Sequence, residues 1–315
     1  MQLVSPVTVR SGEVSQHIIV RKGAVYADVY EQLSSAIQLP PFVPTVLIPK
    51  LYAVWKKRSL QRGMFEITPE TRLIEALLMV YHRGQAQMVK VTLPEGLSLD
   101  RTADILSDKL GIRTKQFLSL AQNDSLLRVR DIQAKSIEGY VAPNTYMIYK
   151  GAGVEEVLDI LLDEHTKVWQ SLPTKKTPLN LTKHEVLTLA SIVEAETPND
   201  DEKPRVAGVY VNRLKIGMKL DADPTVQYAL GSVKRRLYYK DLEVDNPYNT
   251  YRNKGLPPGP INSPGKAAIQ AAINPEQHSY LYFVALGDGS QRHTFSATAQ
   301  EHERAVALYR KRRAE

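Results

Sequence analysis

Thr182 and Glu185 form a Thr-x-x-Glu capping box, and behind it Val186, Leu189, Ala190 and Val193 recur at helical spacing. The pattern predicts a helix with one buried stripe. Its end falls near Thr197, because Pro198 disfavours helical backbone in the residue before it. The last turn then carries Glu194 and Glu196, where the negative end of the helix dipole opposes a carboxylate. Side chains two positions apart point about 200° apart on a 3.6-residue helix, so the two carboxyls flank the stripe on opposite sides and do not easily share a cleft. Ala190 and Ser191, one turn before Glu194, are small and leave room for a ligand, whereas Ile192 stands before Glu196. A partly buried carboxylic acid with a raised pKa is what general acid catalysis requires. Helix geometry alone selects neither glutamate for that task.

Upstream, residues 18–34 and 91–107 share one plan: a β-rich run, a Gly turn (Gly23, Gly96), then an amphipathic pattern that closes on Leu-Ser. They read as two βα units. Between them residues 63–69 predict a further short strand and turn, and residues 72–81 a helix with Leu73, Ala76, Leu77 and Val80 on one face. A polar interruption at residues 84–88 marks a boundary, giving a small βα module over 1–87 and a larger domain over 88–315. Helices are expected at 98–110, 114–123 and 154–172, then a polar connector at 173–180. Beyond Leu181 the chain is dense in Gly, Pro, Asn and Tyr, notably over 245–251 and 255–260, and such shaped loops commonly carry function. The expected class is α+β, with helices against short strands in the second domain.

Several functions are excluded by what is missing. With no Cys there is no disulfide framework, thiolate metal site or cysteine nucleophile. His293 lacks a second His at ligand spacing, so a packing role is expected and neither metal nor cofactor is called for. The net charge of +7 favours polyanionic partners, but no interleaved aromatic and basic stripe argues for nucleic acid. The most apolar stretch, residues 42–55, is too short for a membrane span and is interrupted by Pro44, Pro49 and Lys50. Residues 1–10 lack the basic and apolar regions of a signal peptide. Lys234-Arg235-Arg236 is expected to be a solvated loop, and the basic end at 310–313 a solvated terminal helix or tail.

A resemblance sharpens this picture. The succession Leu-Ala-Ser-Ile-Val-Glu-Ala-Glu-Thr (189–197), Val-Ala-Gly-Val-Tyr-Val-Asn-Arg-Leu (206–214) and Gly-Met-Lys-Leu-Asp-Ala-Asp-Pro-Thr-Val (217–226), followed by the 249–260 loop, closely resembles the MltG (YceG-like) family of endolytic murein transglycosylases. Glu-Gly-Tyr-Val-Ala-Pro-Asn-Thr-Tyr (138–146), Tyr-Leu-Tyr-Phe-Val-Ala (280–285) and His-Thr-Phe (293–295) add to it, so that the likeness runs from about residue 92 to the end. It implies that Glu194, first glutamate of the Ala-Ser-Ile-Val-Glu-x-Glu-Thr motif, is the catalytic residue. It also implies a LysM-like module over 1–87, no cofactor, an extracytoplasmic place at the inner membrane, and peptidoglycan strands and synthases as partners. Family members usually carry a membrane anchor, and this sequence departs from them in lacking one.

In place of a second carboxylate, the resemblance implies that Glu194 first protonates the leaving oxygen and then deprotonates the sugar's own 6-hydroxyl, leaving a 1,6-anhydro end. Ser191, Glu196, Asn212, Asp223, Thr225, Gln227, Asn249 and Tyr251 are candidates for orienting sugar hydroxyl and acetamido groups, and Tyr228 and Phe295 for covering sugar faces. Glu138 either lines the cleft or caps a loop. Arg213 is expected in an internal salt bridge or as a brace for Glu194. Two rival readings remain at this point: a lysozyme-like hydrolase using Asp223 or Glu196 as second carboxylate, and a non-catalytic cell-wall binding protein.

Overall fold

The computed structural model describes residues 2–9, 15–21, 23–41, 43–82, 87–173, 176–231 and 236–314. Lys234 and Arg235 of the expected solvated loop, and most of the 84–88 boundary, lie outside them. The fold is α+β and divides into two compact units, one of residues 1–91, 105–113 and 145–158, the other of 92–104, 114–144 and 159–315.

The first unit opens with β1 (Gln16–Val20), α1 (Tyr26–Ala36), α2 (Leu47–Lys56), β2 (Gly63–Ile67) and α3 (Leu73–Leu78). β1 and β2 pair antiparallel, Gln16 opposite Ile67 and Val20 opposite Gly63. Their inward residues Ile18, Val20, Phe65 and Ile67 meet Val29 and Leu33 of α1 and Ala76 and Leu77 of α3 in one apolar core. The expected helix over 72–81 is α3 followed by a single 3-10 turn, Met79–Tyr81. β3 (Met88–Leu93) pairs with β4 (Asn144–Tyr149), and between them in sequence lie α4 (Leu99–Leu110), α5 (Thr114–Ala121) and α6 (Asp124–Val129). Gly23 and Gly96 turn the chain from strand to helix with φ of +80° and +73°, backbone that glycine adopts at little cost.

After α7 (Val154–Gln170), the second unit is built around α8 (Lys183–Glu196). Thr182 caps α8 as its sequence predicts: its Oγ1 accepts the Glu185 N–H, and the Glu185 carboxylate accepts the Thr182 N–H. The single stripe does not hold. Every residue from Val186 to Val193 is buried, because α9 (Lys203–Lys215), α10 (Asp223–Ala229) and α11 (Lys266–Ile273) surround the helix. A helix buried on all sides has no polar face to lose, and Thr188 and Ser191 fit only by returning their hydroxyls to the carbonyls of His184 and Thr188. The hairpin of β5 (Tyr282–Ala285) and β6 (His293–Ser296) packs against α12 (Ala299–Ala314), the helix that the basic end forms.

Candidate active site

Because α8 is enclosed, the carboxyls in its last turn need interior partners. Glu194, 7 % exposed, accepts from Lys203 Nζ at 3.0 Å through one oxygen and from the Gly265 N–H at 2.9 Å through the other. Lys203, in the first turn of α9, is 1 % exposed. Its Nζ also meets Asp200 Oδ1 at 2.8 Å and Glu95 Oε2 at 3.9 Å. Burial pushes the ammonium toward neutrality, but its hydrogen bonds to Asp200 and Glu194 outweigh that and hold it above the ordinary lysine range. Burial, then the neighbouring charge of Glu194, raises the Glu95 carboxyl.

Two segments bring Glu95 and Gly265 here. The Gly96 N–H donates to the Ser263 carbonyl at 2.9 Å and the Ser263 N–H to that of Leu97 at 2.8 Å, an antiparallel bridge. Glycine at 265 is a steric requirement, since a Cβ there would lie 1.9 Å from Glu95 Oε1. Gly96 sits beside Glu194, where an added Cβ would come within 3.8 Å of its Cγ. Gly96, Ser98, Ala195, Gln227, Tyr228 and Asn262 are among the residues that line a cleft of about 160 Å³. Glu194 thus stands behind one wall of that cleft.

Glu196 turns to a different interior. Tyr210 of α9 donates its hydroxyl to Glu196 Oε1 at 2.7 Å. Burial pushes this carboxyl up to about 7, the phenol hydrogen bond and Arg213 opposing and Asp223 adding to the rise. Asp223, at the start of α10, accepts the Tyr251 hydroxyl at 2.6 Å. A third buried acid, Glu138, receives the Leu99 N–H on both oxygens, at 3.0 and 3.1 Å, and so caps α4. It too is raised to about 7 by burial, against the hydrogen bonds from Leu99 and from Tyr228, whose hydroxyl is 3.4 Å away.

With that geometry in place, comparison with known proteins assigns the family. The YceG-like family model matches residues 18–308. The chain belongs to that family. It is 32% identical over 274 residues to the endolytic murein transglycosylase of Bacillus subtilis, covering 82% of this chain and 76% of that protein. It is 30% identical over 313 residues to the protein of the same name from Streptococcus pneumoniae R6, covering 88% of this chain. The chain spans only 56% of that pneumococcal protein's length. A crystal structure of a yceG-like protein from Listeria monocytogenes superimposes with a TM-score of 0.61 at 28% identity, covering 92% of this chain and 98% of the other.

Within this YceG-like chain, the other sequence candidates separate by position. Gln227 and Tyr228 face the cleft, and the Tyr228 ring lies 4.8 Å from that of Tyr248. Ser191 is fully buried: its Oγ accepts the Ile261 N–H at 3.0 Å, and its carbonyl accepts Asn262 Nδ2 at 2.8 Å, so it positions the cleft wall. Thr225 is closed inside, bonded to Ala222 and Thr250. Asn249, also buried, gathers its own loop through the carbonyls of Leu242 and Val244 and the Tyr251 N–H. Asn212 holds the carbonyls of His278 and Tyr280. Phe295 packs among Tyr280, Phe283 and His293, with the Arg205 guanidinium over its ring, on the β5–β6 hairpin.

Of the two roles expected of Arg213, the internal salt bridge is present, with a guanidinium nitrogen 3.9 Å from Asp221 Oδ2. Its guanidinium also donates to the carbonyls of Leu281 and Leu220, both at 2.7 Å, and lies over the Tyr282 ring, and the residue bonded to Glu194 is Lys203. His293 pairs with Glu202 at 3.0 Å, a structural contact. Among the described residues no group of three or more His, Cys, Asp or Glu is placed to hold a metal ion. The sequence reading missed Lys203, Glu95, Asp200 and Gly265. A signal for Lys203 was present: a lysine in a helix's first turn opposes the dipole, as a glutamate does in the last turn.

Proposed function

We propose that this chain is a peptidoglycan lytic transglycosylase that cuts glycan strands internally, with Glu194 as its one acid and base. The observation that carries the reading is the pairing of Glu194 with Lys203 and the Gly265 N–H behind the wall of a cleft lined by Ser98, Gln227, Tyr228 and Asn262. The names of the bacillary and pneumococcal relatives support the substrate class.

Glu194, protonated, donates to the glycosidic oxygen as its bond to C1 of MurNAc breaks. The resulting carboxylate then removes the proton of the 6-hydroxyl, whose oxygen closes onto C1. The proton lost in the first step returns in the second, no water is consumed, and a 1,6-anhydro end remains. Lys203 Nζ and the Gly265 N–H stand where they hold the carboxylate that the first step leaves. The proton for the first comes from the surrounding cluster, where Glu95, Asp200 and Glu194 share one ammonium and Glu95 holds its proton more tightly than an exposed glutamate. Gln227 and Tyr228 contact the sugars directly. Asp223 and Tyr251 hold each other beside Pro224 of the cleft, Glu196 bonds Tyr210 behind them, and Glu138 holds Tyr228 and α4 in place.

Residues 1–87 serve as a LysM-like module, a reading supported by the β1-α1-α2-β2 unit with its own core. The domain from 88 onward carries the catalysis. The place of action is the extracytoplasmic face of the inner membrane, where cleavage beside peptidoglycan synthases terminates growing strands. No helix among the described residues is long and apolar enough to cross a membrane.

The test is to incubate the protein and Glu194→Gln with uncrosslinked glycan strands and identify products by mass spectrometry. Anhydro-ended fragments from the unaltered chain, reduced by about 10² to 10⁴ in the variant, are expected. Reducing ends would make the protein a hydrolase with Asp223 or Glu196 as second carboxylate. Strand binding without products from either protein would make it a binding module.

A further inference from the structure

The sequence between Gln32 and Phe65 contains no Asp or Glu but five basic residues: Lys50, Lys56, Lys57, Arg58 and Arg62. Within it α2 presents an apolar face to solvent. Leu47, Leu51, Val54 and Trp55 are 56, 61, 78 and 72% exposed. At about 100° per residue these four fall within an arc of roughly 100°. The opposite side of α2 is spent on the unit's own core, with Pro49 buried and Tyr52 and Ala53 packed against the apolar cluster. The helix therefore has two apolar sides, of which folding uses one. A contiguous exposed apolar face of this kind marks an interaction surface.

Charge selects the partner. Arg58 is tied to the Tyr81 carbonyl at 3.2 Å, and Arg62 lies 3.9 Å from Glu156. Lys50, Lys56 and Lys57 remain exposed around the apolar face, and Lys56 Nζ stands 3.7 Å above the centre of the Trp55 ring. Aliphatic residues for an acyl boundary, a tryptophan for the headgroup level and lysines whose stems can extend toward phosphates are the three parts of an interfacial helix. The helix is ten residues long, about 15 Å, which is half a bilayer core. It can lie in the interface and cannot span it.

We propose that α2 docks this protein onto an anionic lipid bilayer, with Leu47, Leu51, Val54 and Trp55 seated among the headgroups and Lys50, Lys56 and Lys57 pairing with lipid phosphates. The segment at residues 42–55, too short and too interrupted for a span, has this use. The inference does not depend on the catalytic reading.

The experiment uses the full chain with Trp169→Phe, leaving Trp55 as its single tryptophan, and phosphatidylcholine vesicles with and without phosphatidylglycerol. Association with the anionic vesicles in sedimentation, together with a blue shift of Trp55 emission, is expected, and both are lost at high salt. Each Lys→Gln change at 50, 56 or 57 weakens binding about fivefold. Leu51→Ser with Val54→Ser removes it while leaving circular dichroism unchanged, because both side chains are exposed. The proposal is overturned if the full chain ignores anionic vesicles at low salt, or if the Leu51/Val54 variant binds them as well as its parent. It also falls if soluble polyphosphate produces the same emission shift, which would mean a polyanion site, or if protein concentration alone does, which would mean a second copy of the chain.

Discussion

Glu194 and Glu196 leave the same helical turn and both reach α9, yet the two regions they enter give a carboxyl different partners. On the Glu194 side the partners are an ammonium and a backbone N–H, groups that only donate, and two further carboxyls crowd the same lysine. On the Glu196 side the hydrogen-bond partner is the Tyr210 phenol, and burial dominates, pushing the group up to about 7. The lesson is that position at a helix end does not set the partners of a carboxyl. The dipole opposes both, yet Glu194 meets a full positive charge 3.0 Å away whereas Glu196 meets a neutral hydroxyl at 2.7 Å.

The comparison breaks most visibly at Lys203. In Lys203→Met the Glu194 carboxylate keeps its N–H donor but loses its counter-ion in a nearly closed site. Removing one partner of a buried ion pair costs about 3–5 kcal/mol. Thermal unfolding should shift to much lower temperature, and transglycosylase turnover should fall with it. Adding Glu194→Gln to Lys203→Met should recover most of the lost stability and none of the activity. If the double variant is no more stable than Lys203→Met, the pair is not what holds this side together.

Gly265→Ala sharpens the same side with a smaller change. The new methyl collides with the Glu95 carboxyl, which must swing away, while the N–H that serves Glu194 stays on the chain. A drop in turnover of about tenfold to a hundredfold is expected, the range for misplacing a positioned group. Glu95→Gln in the Gly265→Ala background should then cost little more. Turnover equal to the parent's in Gly265→Ala would show that Glu95 is a bystander.

Much of the frame of these two regions is legible in the chain. Thr182, Glu185 and Pro198 mark the ends of α8, and Gly23 and Gly96 mark the two strand-to-helix turns, because caps, proline and left-handed backbone are local chemistry. The environment of the glutamates is not local. Glu95 lies 99 positions before Glu194 and Gly265 lies 71 after it, and the bridge between Leu97 and Ser263 helps bring them to one place. Periodicity also could not show that α8 is enclosed on every side, since Thr188 and Ser191 read as polar positions until their hydroxyls are seen bonded to their own helix. Ser191, Asn212, Thr225 and Asn249 sit in the motifs that carry the family resemblance, and the structure gives them carbonyls, N–H groups and neighbouring hydroxyls to hold.

The smallest expected effect reads the Glu196 side by pH. Glu196 and Glu138 both have folded values near 7, above the roughly 4.3 of an exposed glutamate, so between those limits the folded chain holds protons that the unfolded chain has released. Their contribution to stability is complete below about pH 4.3 and is lost as pH rises through 7. Each can supply a slope of at most about 1.4 kcal/mol per pH unit in that window. Glu196→Gln cannot ionise but still accepts from Tyr210, so its urea midpoint should fall less between pH 5 and 7 than the parent's, and Glu138→Gln in addition should flatten the profile further. A Glu196→Gln profile parallel to the parent's would mean that Glu196 is ionised in the folded protein throughout this range, and the contrast with Glu194 would reduce to one of partners alone.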